Sequence, residues 1–143
     1  MASVRRELTI RRSVDDVWAR VGDPTALNTW FPGVAECVVN GTERVITTEM
    51  GLPIPEEIVT VDDIAHRFQY RITAAFITNH LASIDVFELE PERSLVVYST
   101  NCEPEVMALI IGGSTGAALV ELRRQLEIDL EPLEATWARQ GAL

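Results

Sequence analysis

The sequence predicts an α+β fold: a curved antiparallel sheet of about seven strands, two short helices near its start, and a long C-terminal helix. Two observations predict it. Between Val34 and Asn101 the apolar residues recur with period two, in runs separated by turn residues. After Pro104 the period changes to that of a helix and ends in the strongly helix-forming Glu121-Leu122-Arg123-Arg124-Gln125-Leu126-Glu127.

Taken in order, Val4 to Arg12 alternates, with Val4, Arg6, Leu8 and Ile10 on one face, and reads as the first strand. Ser13 is placed to cap a helix, with Asp16 near its positive end. Val14, Val17, Trp18 and Val21 then follow helical spacing until Gly22-Asp23-Pro24. Thr25 to Phe31 reads as a second short helix, stopped by Pro32-Gly33. Six strands follow: Val34 to Val39, Glu43 to Met50, Glu56 to Asp62, His66 to Thr73, His80 to Glu88 and Leu95 to Asn101. Asn40-Gly41, Gly51-Leu52-Pro53, Asp62-Asp63 and Pro91-Glu92-Arg93 supply turns, and such short links imply antiparallel pairing. The break from Thr73 to Asn79 has neither Gly nor Pro. In the last third, Met107, Ile110, Ile111, Ala118, Leu119, Leu122 and Leu126 mark the helix, which Gly112, Gly113 and Gly116 weaken. Ser114 offers the alternative of a shorter helix that starts there.

The 143 residues fit one domain, read as residues 1–132 with a C-terminal tail of 133–143 that carries Trp137. Hydrophobic residues make up 47% and charged residues 24%, a soluble globular profile. A net charge of −10 repels phosphate backbones, so nucleic acid is not an expected partner. Cys37 and Cys102 are read as free thiols in a reducing compartment, and a cytoplasmic location is expected. The N-terminus lacks a signal-peptide apolar stretch, and the longest apolar run, Val106 to Val120, is diluted with Gly, Ser and Thr. No stable membrane insertion is therefore expected. His66 and His80 lie on different strands and no HExxH or CxxC occurs, so neither a metal nor another cofactor is expected.

Three stretches carry a resemblance. Ser13-Val14-Asp15-Asp16-Val17-Trp18, Leu27-Asn28-Thr29-Trp30-Phe31-Pro32 and Ala118-Leu119-Val120-Glu121-Leu122-Arg123-Arg124-Gln125-Leu126-Glu127 occur in the order and spacing of the helix-grip fold. The chain resembles the START-like superfamily, which includes polyketide cyclases/dehydrases, pollen allergens and plant hormone receptors, over roughly residues 2 to 130. The resemblance implies a cavity between the concave sheet face and the last helix, used for lipids, polyketides, sterols or hormones. Met50-Gly51-Leu52-Pro53 is similar to the gate loop over that cavity in the hormone-receptor branch.

The residues themselves also suggest a cavity. Ala108, Gly112, Thr115, Gly116 and Leu119 form a face of mostly small residues on the last helix. Set against the sheet, that face leaves volume unfilled, and a ligand is the use expected of it. Strand alternation nominates as lining Ile46, Thr48, Glu57, Val59, Phe68, Tyr70, His80, Ala82, Ile84, Val97, Ser99 and Asn101, and the resemblance places the same set inward. Leu52 joins them from the gate, and Ile111, Thr115 and Leu119 from the helix. On the last strand the opposite parity (Val96, Tyr98, Thr100) is apolar as well, and a one-residue shift flips the choice. Tyr70, His80, Ser99 and Asn101 are the polar members able to orient a ligand, and Glu57 is placed to accept a hydroxyl or amine or simply to be solvated. The leading expectation is a non-catalytic binder or carrier of a small hydrophobic molecule. The alternatives are a polyketide cyclase/dehydratase using His80 or Tyr70 for proton transfer, and a protein-interaction module with a vestigial cavity.

Overall fold

The structure, a computed structural model, describes residues 1–131; the tail read from Leu133, with Trp137, lies outside the described residues. Strand β1 (Ala2–Ile10) leads into helix α1 (Val14–Val21). Ser13 caps α1 as expected, its hydroxyl accepting from the Asp16 amide at 3.2 Å. The predicted second helix is only a 3-10 turn, Leu27–Thr29, because Pro32-Gly33 arrives before another turn can form. Six strands follow: β2 (Val34–Asn40), β3 (Glu43–Thr48), β4 (Pro53–Asp62), β5 (Arg67–Ile72), β6 (Asn79–Glu90) and β7 (Arg93–Glu103). They form one antiparallel sheet in the order β1-β7-β6-β5-β4-β3-β2.

Helix α2 (Glu105–Leu126) crosses the concave face over β1 and β7. It runs unbroken through its glycines, so Ser114 is a helix-interior residue and not a cap. With 22 residues and a mean hydropathy of 1.5 it is long and apolar enough to cross a membrane by length and composition, which the sequence reading did not anticipate. Ala108, Gly112, Thr115, Ala118, Leu119 and Leu122 are nevertheless buried against the sheet, and Val106, Leu109 and Ile110 are exposed.

The glycines do something different from what their size suggested. A Cβ on Gly112 would sit 2.6 Å from Val4 Cγ1, and one on Gly116 would sit 3.5 Å from Arg6 Cδ. The small face lets α2 lie close upon β1, leaving no hollow there; Arg6 runs past it, and its guanidinium donates to the Arg5 carbonyl at 3.1 Å. Gly112→Ala is expected to destabilise the chain by about 1–3 kcal/mol, since a stiff strand valine must yield. At Gly113, where an added Cβ meets nothing within 4 Å, Gly113→Ala is expected to gain up to about 1 kcal/mol of helix propensity. Urea unfolding of the two variants checks the opposite signs.

Two strands turn the other way from the expected parity. On β4, Ile54, Glu56 and Ile58 face the concave side, and Glu57 points out to Arg71 at 3.7 Å. Val59 shares the outward parity of Glu57 and is exposed with it, and the pairing register with β5 shifts between Ile58 and Thr60. On β7, Val96, Tyr98, Thr100 and Cys102 are buried inside, so Val97, Ser99 and Asn101 belong to the convex face. There Ser99 lies opposite Arg5 and Ser83, and Asn101 opposite Ser3 and Leu81.

Candidate functional site

The core is not uniform along α2. Toward its C-terminal end, Leu119 and Leu122 are buried in the main apolar core, which includes Ile10, Val17, Val86 and Val96, and neither lines the cavity described below. Toward its N-terminal end, Ala108 packs with Cys102 and Ile77. Because α2 is drawn onto β1, the half of the sheet formed by β3, β4 and β5 has no helix pressed against it. A cavity of about 320 Å³ opens there.

Ile46 and Thr48 of β3, Ile54 and Glu56 of β4, and Tyr70 and Ile72 of β5 form its sheet wall. Met107, Ile110, Ile111, Ser114 and Thr115 of α2 form the opposite wall. Leu27, Phe31, Pro32, Gly33 and Val34 close one side, and Phe76 and Ile77 the other. Half-exposed Phe76 and Ile110 stand at the opening.

The polar part of this wall is a buried ion pair. Arg44 is 1% exposed and Glu56 is 4% exposed, and Arg44 Nε donates to Glu56 Oε2 at 2.6 Å. Arg44 also donates to the Pro24 carbonyl at 3.2 Å, tying β3 to the loop after α1. Its guanidinium carbon lies 4.8 Å from the Tyr70 ring centre and 5.2 Å from that of Phe68. Burial pushes the Glu56 carboxyl above its usual range, and the Arg44 charge and hydrogen bond counteract it only in part. The Tyr70 and Tyr98 hydroxyls share a short hydrogen bond, and burial raises both phenols well above their ordinary value, so both stay protonated. Trp30 and Phe31 pack on Tyr98 with ring centres 6.5 Å away.

His80 occupies a different place. It projects inward from β6 where the β5–β6 ladder ends at Tyr70↔Ala82, and its Nδ1 accepts the Ile72 amide at 2.9 Å. It borders a separate recess with Met1, Arg71, Asn79 and Asn101. Burial, aided by the Arg71 charge, lowers its pKa from 6.5 to about 4. With the folded value depressed, the stability that neutral His80 contributes is complete above pH 6.5 and is lost as pH falls toward 4. His80→Gln, which takes up no proton, is expected to lose about 2 kcal/mol less than the unaltered chain between about pH 7 and pH 4.5. Denaturant unfolding at the two pH values measures the difference.

Of the residues nominated from sequence, the cavity brings together Ile46, Thr48, Tyr70, Ile111 and Thr115. Phe68, Ala82, Ile84 and Leu119 face inward but fill the core and do not line the cavity. His80 is turned to the recess beside it, and Glu57, Val59, Val97, Ser99 and Asn101 are displaced by the parity changes described above. Leu52 is also displaced. Its loop is a tight turn in which Thr48 binds Leu52 through both backbone and hydroxyl, and Glu49 donates to the Gly33 carbonyl at 2.9 Å. That places half-exposed Leu52 off the cavity. The opening is instead flanked by Phe76, from the stretch between β5 and β6 that carries no turn signal, and by Ile110 of α2.

Arg44 and Glu56 were not singled out from the sequence. A signal for Arg44 existed, since it shares parity with Ile46 and Thr48. Starting the strand at Pro53 rather than Glu56 would have set Glu56 beside Ile54 and Ile58. Among the described residues no group of three His, Cys, Asp or Glu side chains is placed to hold a metal.

The sequence profile for polyketide cyclase/dehydrase and lipid transport proteins matches residues 1–135. No curated protein matches the chain. Among solved structures, the protein XoxI from Bacillus cereus is 27% identical, with a TM-score of 0.85 over 92% of this chain and 99% of that one. A START superfamily protein from Mycobacterium smegmatis is 13% identical, with a TM-score of 0.76 over 87% of this chain and 97% of that one. The di-domain ARO/CYC protein BexL of the BE-7585A biosynthetic pathway is 13% identical, with a TM-score of 0.77 over 92% of this chain and 48% of that one. The last two share the helix-grip fold with this chain.

Proposed function

The chain belongs to the polyketide cyclase/dehydrase and lipid transport family, and from that premise we propose that it binds and carries a small hydrophobic molecule between β3–β5 and α2. The observation that carries this reading is the cavity of about 320 Å³, walled by Ile46, Ile54, Ile72, Phe31, Met107 and Ile111. Its volume is at the small end of the range for ligand sites, about 300–1000 Å³. Binding is favoured over catalysis by two placements. The Tyr70 hydroxyl is engaged by Tyr98, and His80 stands outside the cavity wall, so the two proton-transfer candidates do not converge on one bound molecule.

Protein purified from its own organism and extracted with organic solvent is expected to release one apolar species in near-stoichiometric amount, identified by mass spectrometry. Ile111→Trp, which fills the cavity from the helix side, is expected to weaken binding of that species at least tenfold while the far-ultraviolet spectrum stays unchanged. An empty extract, together with no binding from a panel of apolar compounds, would sink the proposal.

A further inference from the structure

The cavity wall carries five polar side chains, and four of them are already engaged. Thr115 Oγ1 donates to the Gly112 carbonyl at 3.2 Å and Ser114 Oγ to the Ile110 carbonyl at 3.3 Å. Thr48 Oγ1 accepts the Leu52 amide at 3.1 Å, and the Tyr70 hydroxyl is bonded to that of Tyr98. The fifth is Glu56. Arg44 takes its Oε2, and Oε1 accepts no hydrogen bond from any described residue, although the side chain is almost wholly buried and lines the cavity. A carboxylate on a cavity wall whose second oxygen has no protein donor offers the acceptor a ligand can satisfy.

Resting on the binding reading above, we infer that the cavity selects an apolar molecule carrying one hydrogen-bond donor, a hydroxyl or an amine, which meets Glu56 Oε1, and that it disfavours carboxylates. The compensating cation, Arg44, does not line the cavity. An incoming carboxylate therefore faces the negative charge of Glu56 with no cation on the wall to receive it. Apolar contacts give the molecule its affinity, and the donor decides which molecules of similar size and shape are retained.

Isothermal titration of the full chain near neutral pH with 2-naphthol, 2-methylnaphthalene and 2-naphthoate tests this. The naphthol is expected to bind at least tenfold more tightly than the methyl compound, and the naphthoate most weakly. In Glu56→Gln, which keeps a carbonyl for Arg44 but removes the charge, the advantage of the naphthol is expected to shrink and the naphthoate to gain. Equal affinity for the naphthol and the methyl compound, or naphthoate binding as tightly as naphthol, overturns the inference and leaves the cavity a ligand site. Binding of none of the three overturns it together with the reading it rests on. The ranking in the unaltered chain decides the matter even where Glu56→Gln fails to fold.

Discussion

Arg44→Ala is expected to lower the unfolding free energy by about 3–5 kcal/mol, because it strands the Glu56 carboxylate in the interior without its cation. Arg44 is also bonded to the Pro24 carbonyl and stacked on Tyr70 and Phe68, so the loss includes contacts that join β3, β5 and the loop after α1. The companion result separates charge from packing. Arg44→Met combined with Glu56→Leu removes both charges at similar volume, and is expected to recover most of the loss or to exceed the parent stability. Urea unfolding of the single and double variants makes the comparison. A loss below about 1 kcal/mol for Arg44→Ala would mean that water reaches the pair, contrary to its burial.

Leu119→Ala is expected to cost about 2.7–5 kcal/mol without altering ligand affinity. Sequence spacing set Leu119 on the same helix face as Thr115, and both were read as lining. In the structure Leu119 is 1% exposed and belongs to the main core with Val17 and Val96, one turn beyond the last helix residue that reaches the cavity. A large stability loss with unchanged binding of a probe such as 2-naphthol confirms that division of α2 into a packed half and a lining half. Weakened binding with near-native stability would contradict it.

The elements were legible because their signals are local. Ser13 with Asp16, Asn40-Gly41, Pro91-Glu92-Arg93 and the helix-forming run from Glu121 each act within a few residues, and all mark real boundaries or elements. Inward placement was legible on β3, β5 and β6, where the apolar Ile46, Tyr70 and Ala82 alternate with more polar neighbours such as Arg71 and Ser83. It was not legible on β4, where Ile58, Val59 and Val61 are apolar on both parities and a bulge falls among them. Nor was it on β7, a strand paired on both sides whose faces are both partly covered. The carboxylate on the cavity wall is accordingly not Glu57 but its neighbour Glu56.

Taken alone, the order of residues determined the fold class and the succession of elements, because hydrophobic period, caps and turns are decided by near neighbours in the chain; the family was legible only as a resemblance in three short stretches. It could not determine where the hollow lies. Val4 must meet Gly112, a contact between the two ends of the chain, before α2 is drawn to one side of the sheet and the other side is left open. The same holds for Arg44 and Glu56, which are charged residues of no special mark until β3 and β4 pair them and the interior closes around them. Long-range packing, not local propensity, decided which carboxylate faces the cavity.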